Sequence, residues 1–254
     1  MKNIRLIILL AAFNTLLTAD NNKTAYHIEF GFERSTYSDN RYTDTQEYIQ
    51  TKFPYSDKIV ILRAENIDRY GKNDKNIAGE IYFKLDNQKY GFVQFSTSPT
   101  SNFMPQYSLG AHIYKGVNPV EFGFGYEFSK YRDQNINMIV PEYRYYLPND
   151  WYFTQVLYYV IDNKSFAISN KIGKEAEGRY EYHIGYIYND SNEAVEGLDM
   201  FENTESNRFE IAGEKQISQD WLIGANLSKE FYKNTKTLYK FNKPSFLFYL
   251  RRYL

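Results

Sequence analysis

From Ala25 onward the chain alternates apolar and polar side chains with a period of two. Tyr26, Ile28, Phe30 and Phe32 interleave with His27, Glu29, Gly31 and Glu33. The beat returns in Val120, Phe122, Phe124, Tyr126 and Phe128 against Glu121, Gly123, Gly125, Glu127 and Ser129. It returns again in Tyr180, Tyr182, Ile184, Tyr186 and Tyr188 against Arg179, Glu181, His183 and Gly185. Successive strand residues point to opposite faces, so each stretch predicts a strand with one greasy and one wet face. Fourteen segments qualify: 24–37, 44–54, 58–69, 76–85, 88–97, 106–115, 119–131, 136–147, 151–161, 165–174, 178–189, 206–217, 220–232 and 244–253.

The connections alternate as well. Tyr55-Ser56-Asp57, Asp86-Asn87, Gly116-Val117-Asn118, Pro148-Asn149-Asp150, Glu175-Ala176-Glu177 and Ser218-Gln219 are brief, and most are built of turn formers. Most of the intervening connections are longer, among them 38–43, 70–75, 98–105, 190–205 and 233–243. Short periplasmic turns alternating with long external loops characterise outer-membrane barrels. The expected fold is therefore all-β: an antiparallel transmembrane β-barrel of fourteen strands, apolar faces toward lipid. Twelve is the alternative if the second strand or the 165–174 strand does not form. An even number puts both termini on the periplasmic side.

Residues 1–19 read as a cleaved signal peptide. Lys2 and Arg5 precede the apolar run Leu6 to Phe13, and Leu17-Thr18-Ala19 offers a cleavage site. A membrane anchor is the competing reading, but Asn14 and Thr15 interrupt the run. Residues 20–254 then form one barrel domain with no second domain and no linker, exported to the cell outer membrane of a Gram-negative envelope. No Cys is present, which removes disulfides, a lipid-modified Cys and thiol chemistry. Removing Lys2 and Arg5 takes the formal charge from −1 to −3, too small to suggest a nucleic-acid partner. Mean hydropathy is −0.60, which suits a barrel because only alternate residues meet lipid. Aromatics make up 19% of the chain, with 26 Tyr and 19 Phe. Girdles at two lipid interfaces account for them better than the competing soluble β-sandwich.

Several stretches carry a resemblance. Phe103-Met104-Pro105-Gln106-Tyr107-Ser108-Leu109-Gly110 opens a strand, and Gly123-Phe124-Gly125-Tyr126-Glu127-Phe128 lies in the next. Tyr145-Tyr146-Leu147 and Trp151-Tyr152 flank a short turn, and Arg69-Tyr70-Gly71 closes an earlier strand. In this order they resemble the YaiO family of outer-membrane β-barrels. The resemblance implies the fold and the location, outer-membrane lipid as surroundings, and the barrel-insertion machinery as a partner in biogenesis. It implies little about activity. Helical repeats that precede the barrel in some members are not in this sequence. The last residue is Leu254, where such barrels tend to end in Phe.

With the apolar faces outward, the other faces line a lumen. The lumen-lining candidates are Glu29, Arg63, Glu65, Glu80, His112, Glu121, Glu127, Glu142, Arg144, Arg179, Glu181, His183, Arg208 and Glu210. Two signs of charge suit either of two lumens. Ions that pair across the barrel brace a plugged structural or surface-binding protein. Ions that line water set the selectivity of a narrow, porin-like channel for a hydrophilic solute or glycan. Tyr82, Tyr114, Tyr131 and Tyr146 belong to the same faces, and Gly31, Gly79, Gly110, Gly123, Gly125, Gly185, Gly213 and Gly224 would widen the space. A lipid-acting hydrolase is the third reading. It rests on His112 with Ser108 on the same face, but no nucleophile motif supports it. The expectation is a monomer without enzymatic activity, with no catalytic residues, no cofactor and no metal.

Overall fold

The computed structural model of the protein describes residues 26–39, 43–176, 180–191 and 203–254. The strands are β1 (His27–Thr36), β2 (Thr43–Tyr55), β3 (Lys58–Arg69), β4 (Lys72–Lys84), β5 (Lys89–Thr97), β6 (Tyr107–Val117) and β7 (Val120–Lys130). They continue as β8 (Asn135–Tyr146), β9 (Trp151–Val160), β10 (Phe166–Ala176), β11 (Tyr180–Ser191), β12 (Thr204–Gln216), β13 (Trp221–Asn234) and β14 (Lys240–Tyr253). Each pairs antiparallel with its sequence neighbours, and β1 pairs with β14 to close the barrel. Both β2 and β10 form, so the twelve-strand alternative falls. The expected leader, 1–19, lies outside the described residues.

Several odd-numbered connections are shorter than the pattern suggests. β4 starts at Lys72, because Tyr70 and Gly71 turn the chain in two residues with φ of 55° and 70°. Two adjacent positive φ angles match the right-handed twist of a tight hairpin. The polar run Lys72 to Asn76 hides this strand end. Beyond the lipid band an outward residue such as Asn73 or Lys75 need not be apolar. β14 likewise begins at Lys240 and contains Pro244, which sits opposite Lys229 of β13. The β1–β14 ladder runs only as far as Ser35 opposite Ser245. Pro244 therefore lies where one side of β14 has no ladder to interrupt.

The distribution of side chains inverts that of a soluble protein. Phe30, Phe32, Phe122, Phe124, Ile184, Phe209, Ile211, Phe246 and Phe248 are exposed on the outer wall, whereas Glu29, His112, Glu121 and Glu210 are buried inside. Outward rings gather near both ends. Trp151 meets Tyr182 edge-on and Phe122 meets Tyr143 near the short turns. Tyr107 packs on Phe128, and Phe166 on Tyr188, toward the other end. These are the aromatic girdles of an outer-membrane barrel. The two ends of the chain's β-structure share the short-turn end, where Leu254 N–H donates to the Tyr26 carbonyl at 3.1 Å.

Candidate functional site

Alternation puts every second residue of fourteen strands into one enclosed space, and the register decides which of them meet. Near the short turns, β1, β12 and β14 bring together Glu29, Glu214 and Arg251. Arg251 Nε donates to Glu29 Oε2 at 2.8 Å, and its Nη2 lies 3.2 Å from Glu214 Oε2. Tyr48 O–H donates to Glu29 Oε1 at 2.9 Å, and Tyr249 O–H to Glu214 Oε2 at 2.6 Å. Arg63 stacks over the Tyr48 ring at 3.8 Å and reaches Glu65 at 3.2 Å. Glu65 also accepts from Gln46 and Asn76. Glu29 is only 5% exposed, and an ion so buried persists only when paired and hydrogen-bonded.

A second group lies on β9 to β12. Glu210 is approached by Lys171 at 3.1 Å, Arg208 at 3.4 Å and His183 Nε2 at 3.4 Å. The other His183 nitrogen is 3.6 Å from Glu181, which accepts from Tyr152 at 2.8 Å. A third group, on β4 to β9, is rich in carboxylates and rings. His112 Nε2 and Glu127 Oε1 are 3.0 Å apart, with Phe92 stacked on the imidazole at 4.4 Å. Tyr82 donates to Glu80 at 2.7 Å, and Tyr114 to Glu142 at 3.2 Å. Arg144 bonds Thr154 at 3.2 Å and faces the rings of Tyr146 and Tyr152. Glu121 sits opposite Arg144 in the β7–β8 ladder. Arg179 lies outside the described residues, as do residues 192–202 of the expected long loop.

The inward glycines do something the sequence does not reveal. A Cβ added to Gly31 would sit 2.1 Å from the Tyr48 ring, one on Gly125 2.2 Å from His112, and one on Gly224 2.1 Å from Tyr249. Each glycine is a recess on which a neighbouring strand's ring lies flat against the wall. The rings that hold the carboxylates are thus kept out of the axis. Gly79 and Gly213 face outward instead, Gly79 beneath the Phe95 ring on the lipid side. They are one residue out of phase with Glu80 and Glu214.

The opposite end is lined differently. The β5–β6 loop is held by Asp74, whose fully buried carboxylate accepts the backbone N–H groups of Asn102, Phe103 and Met104 at 2.8–2.9 Å. Phe103 is buried by this anchorage and meets Tyr70 edge-on. From there rings continue to Tyr37, Phe241 and Tyr232, with centre-to-centre steps of 6.3, 6.3, 5.9 and 4.5 Å. The wall between β5 and β13 spans six strand spacings, roughly 29 Å at about 4.8 Å each. The rings follow the strand order along the inner side of that rim. Across from them Tyr131, Ile136, Met138, Val140 and Val160 form a buried apolar cluster. Lys243 Nζ, 3.0 Å from Asp44, ties β14 to β2 at the same level.

The lumen thus has two zones. Below the packed zone at the outer end, charged side chains of both signs keep water-accessible area. Side-chain exposure is 37% for Lys171, 33% for Arg208, 31% for Arg63 and 36% for Glu181. The hydrolase geometry is not there. Ser108 Oγ bonds Ser96 Oγ at 2.5 Å, while His112 is engaged by Glu127. No group of three potential metal ligands occurs among the described residues.

The YaiO membrane beta barrel domain matches residues 25–179 of the chain. Among solved structures, a bacterial polysaccharide outer membrane secretin aligns over 92% of this chain and all of its own, with 8% identity and a TM-score of 0.60. The outer membrane protein Omp33 of Acinetobacter baumannii aligns over 90% of this chain and 98% of its own, with 8% identity and a TM-score of 0.56. A mutant of TodX, a monoaromatic hydrocarbon channel, aligns over 90% of each chain, with 7% identity and a TM-score of 0.55. At such identities the likeness is one of fold. No curated protein matches the sequence at a significant level.

Proposed function

The chain belongs to the YaiO membrane β-barrel family and resides in the outer membrane, and from that premise we propose that it is a narrow passage for a hydrophilic solute, gated at its outer end. The observation that carries this reading is the wet, two-signed middle of the lumen beneath buried rings and apolar side chains at its outer end. A purely structural barrel has no need to keep Lys171, Arg208 and Arg63 in contact with water. Fourteen strands enclose more space than side chains alone fill in small barrels, and less than an open 16–18-stranded porin. The carboxylates and cations bind each other, and His112 and Ser108 are engaged by Glu127 and Ser96 and not by one another, which supports a non-enzymatic role. The protein acts in this reading as a monomer.

The gate is the β5–β6 loop. Replacing Asp74 with Ala leaves three backbone donors without their acceptor and releases Phe103 from the mouth. In planar bilayers the wild-type protein is expected to give small, infrequent current steps. Asp74→Ala, and a second variant with residues 99–104 shortened to two glycines, should raise the open fraction several-fold. Silence from both variants, with heat-modifiable gel mobility intact, would discard the passage and leave a plugged barrel. That second reading draws on the Glu29–Arg251–Glu214 brace.

A further inference from the structure

A cavity of about 690 Å³ opens at the short-turn end of the lumen, along the β3–β8 wall. Small-molecule sites commonly occupy roughly 300–1,000 Å³. Its lining includes the tyrosine rings Tyr82, Tyr90 and Tyr146, with Phe83, Glu121, Lys84 and the turn amide Asn118. Tyr90 and Tyr146 are 36% and 44% exposed although both belong to inward faces. Tyr90 does not swing freely. Its ring is stacked on Tyr114 at 4.9 Å, with planes only 9° apart, and buried Glu121 lines the same recess. Tyr146 is steadied by the Arg144 guanidinium over its ring. Two rigid aromatic faces therefore look into a wet recess.

The charges at this rim nearly cancel. Lys89 pairs with Asp86 at 3.0 Å, and Lys58 approaches Asp57 at 3.8 Å. Backbone N–H donation from Gln88, together with the Lys89 side chain, holds the Asp86 carboxyl below the usual carboxylate range, so it stays ionised at neutral pH. Glu121 has Arg144 as its neighbour across the ladder. An ionic ligand would find little net charge to bind. A ligand with apolar C–H faces and a hydroxyl rim fits better: rings accept the faces, while carboxylate, ammonium and amide groups accept or donate at the rim.

We infer that this mouth is a binding site for a neutral oligosaccharide, stacked on Tyr90 and Tyr146 and hydrogen-bonded by Glu121, Lys84 and Asn118. The inference rests on the reading of the lumen as a solute path, and it makes an uncharged glycan the solute. In outer-membrane barrels the short-turn end faces the periplasm, so the site would receive its ligand from inside the envelope.

The test is titration calorimetry of the refolded protein in detergent with cellotetraose and chitotetraose, alongside bilayer recordings with the same sugars. Wild type should bind at least one of them, and Tyr146→Ala and Tyr90→Ala should each weaken binding roughly fivefold or more. Tyr146 lies at the exposed rim, so its variant keeps the barrel intact if the packed Tyr90 variant does not. Conductance without any saccharide binding would overturn the site and leave the passage standing. Saccharide binding lost in Tyr146→Ala, from a barrel that never conducts, would support the site and remove the passage. Binding unchanged in both variants would also overturn the assignment.

Discussion

Arg251 shows how a single residue holds this interior. It is one cation between two carboxylates, each also bonded to a tyrosine hydroxyl. Removing it leaves Glu29, only 5% exposed, without its counter-ion. Arg251→Ala should lower stability toward urea by about 3–5 kcal/mol, the usual cost of stranding a buried charge. Arg251→Lys should recover only part of this, because an ammonium cannot fork between two carboxylates as a guanidinium does. A loss under about 1 kcal/mol for the Ala variant would mean that water solvates Glu29 and Glu214 well enough unaided. Glu29 was legible in the sequence as a lumen-lining candidate, whereas Arg251 was not singled out. Their pairing was not legible, because Glu29 and Arg251 are separated by 222 positions and meet only across the closing seam.

At the scale of the strand, alternation is the controlling fact. Phe124 looks into lipid near mid-height of β7, and its neighbours Gly123 and Gly125 look inward. Phe124→Arg should destabilise the folded barrel in lipid by roughly 2–4 kcal/mol, with a much smaller effect if the same change is made near a girdle. Folding titrations in bilayers of fixed thickness measure this, and equal costs at both depths would contradict the lipid-facing assignment. The strand cores were readable for the same reason: lipid on one side and water or ions on the other force a period of two. The strand ends were not. Lys72 to Asn76 and Lys240 to Lys243 extend past the lipid band, where nothing enforces apolar residues outside. The glycine recesses under Tyr48, His112 and Tyr249 also needed the register, since each couples residues on different strands.

For the molecule as a whole, the lumen is unevenly charged. The β4–β8 wall carries Glu80, Glu121, Glu127 and Glu142 against Lys84 and Arg144, whereas the β10–β12 wall sets Lys171 and Arg208 against Glu181 and Glu210. The open state should therefore favour cations over anions. Glu127→Gln combined with Glu142→Gln should move the reversal potential in a salt gradient toward zero. A wild type that prefers anions, or a double variant with unchanged selectivity, would place the ion path along the other wall.

The sequence by itself determined the all-β class, the approximate strand spans, the lipid-facing side of their apolar residues and much of the interior's charge. It could do so because the bilayer imposes its demand locally, on alternate residues of every strand. The tertiary structure decided what that inventory does. Closing β1 onto β14 sets Arg251 between two carboxylates. The folding of the β5–β6 loop onto Asp74 buries Phe103 against Tyr70 at the outer rim, and the turns around Asn118 and Gln88 frame the aromatic recess. These are contacts between distant parts of the chain. They depend on register and closure, which a local pattern of apolar and polar residues does not encode.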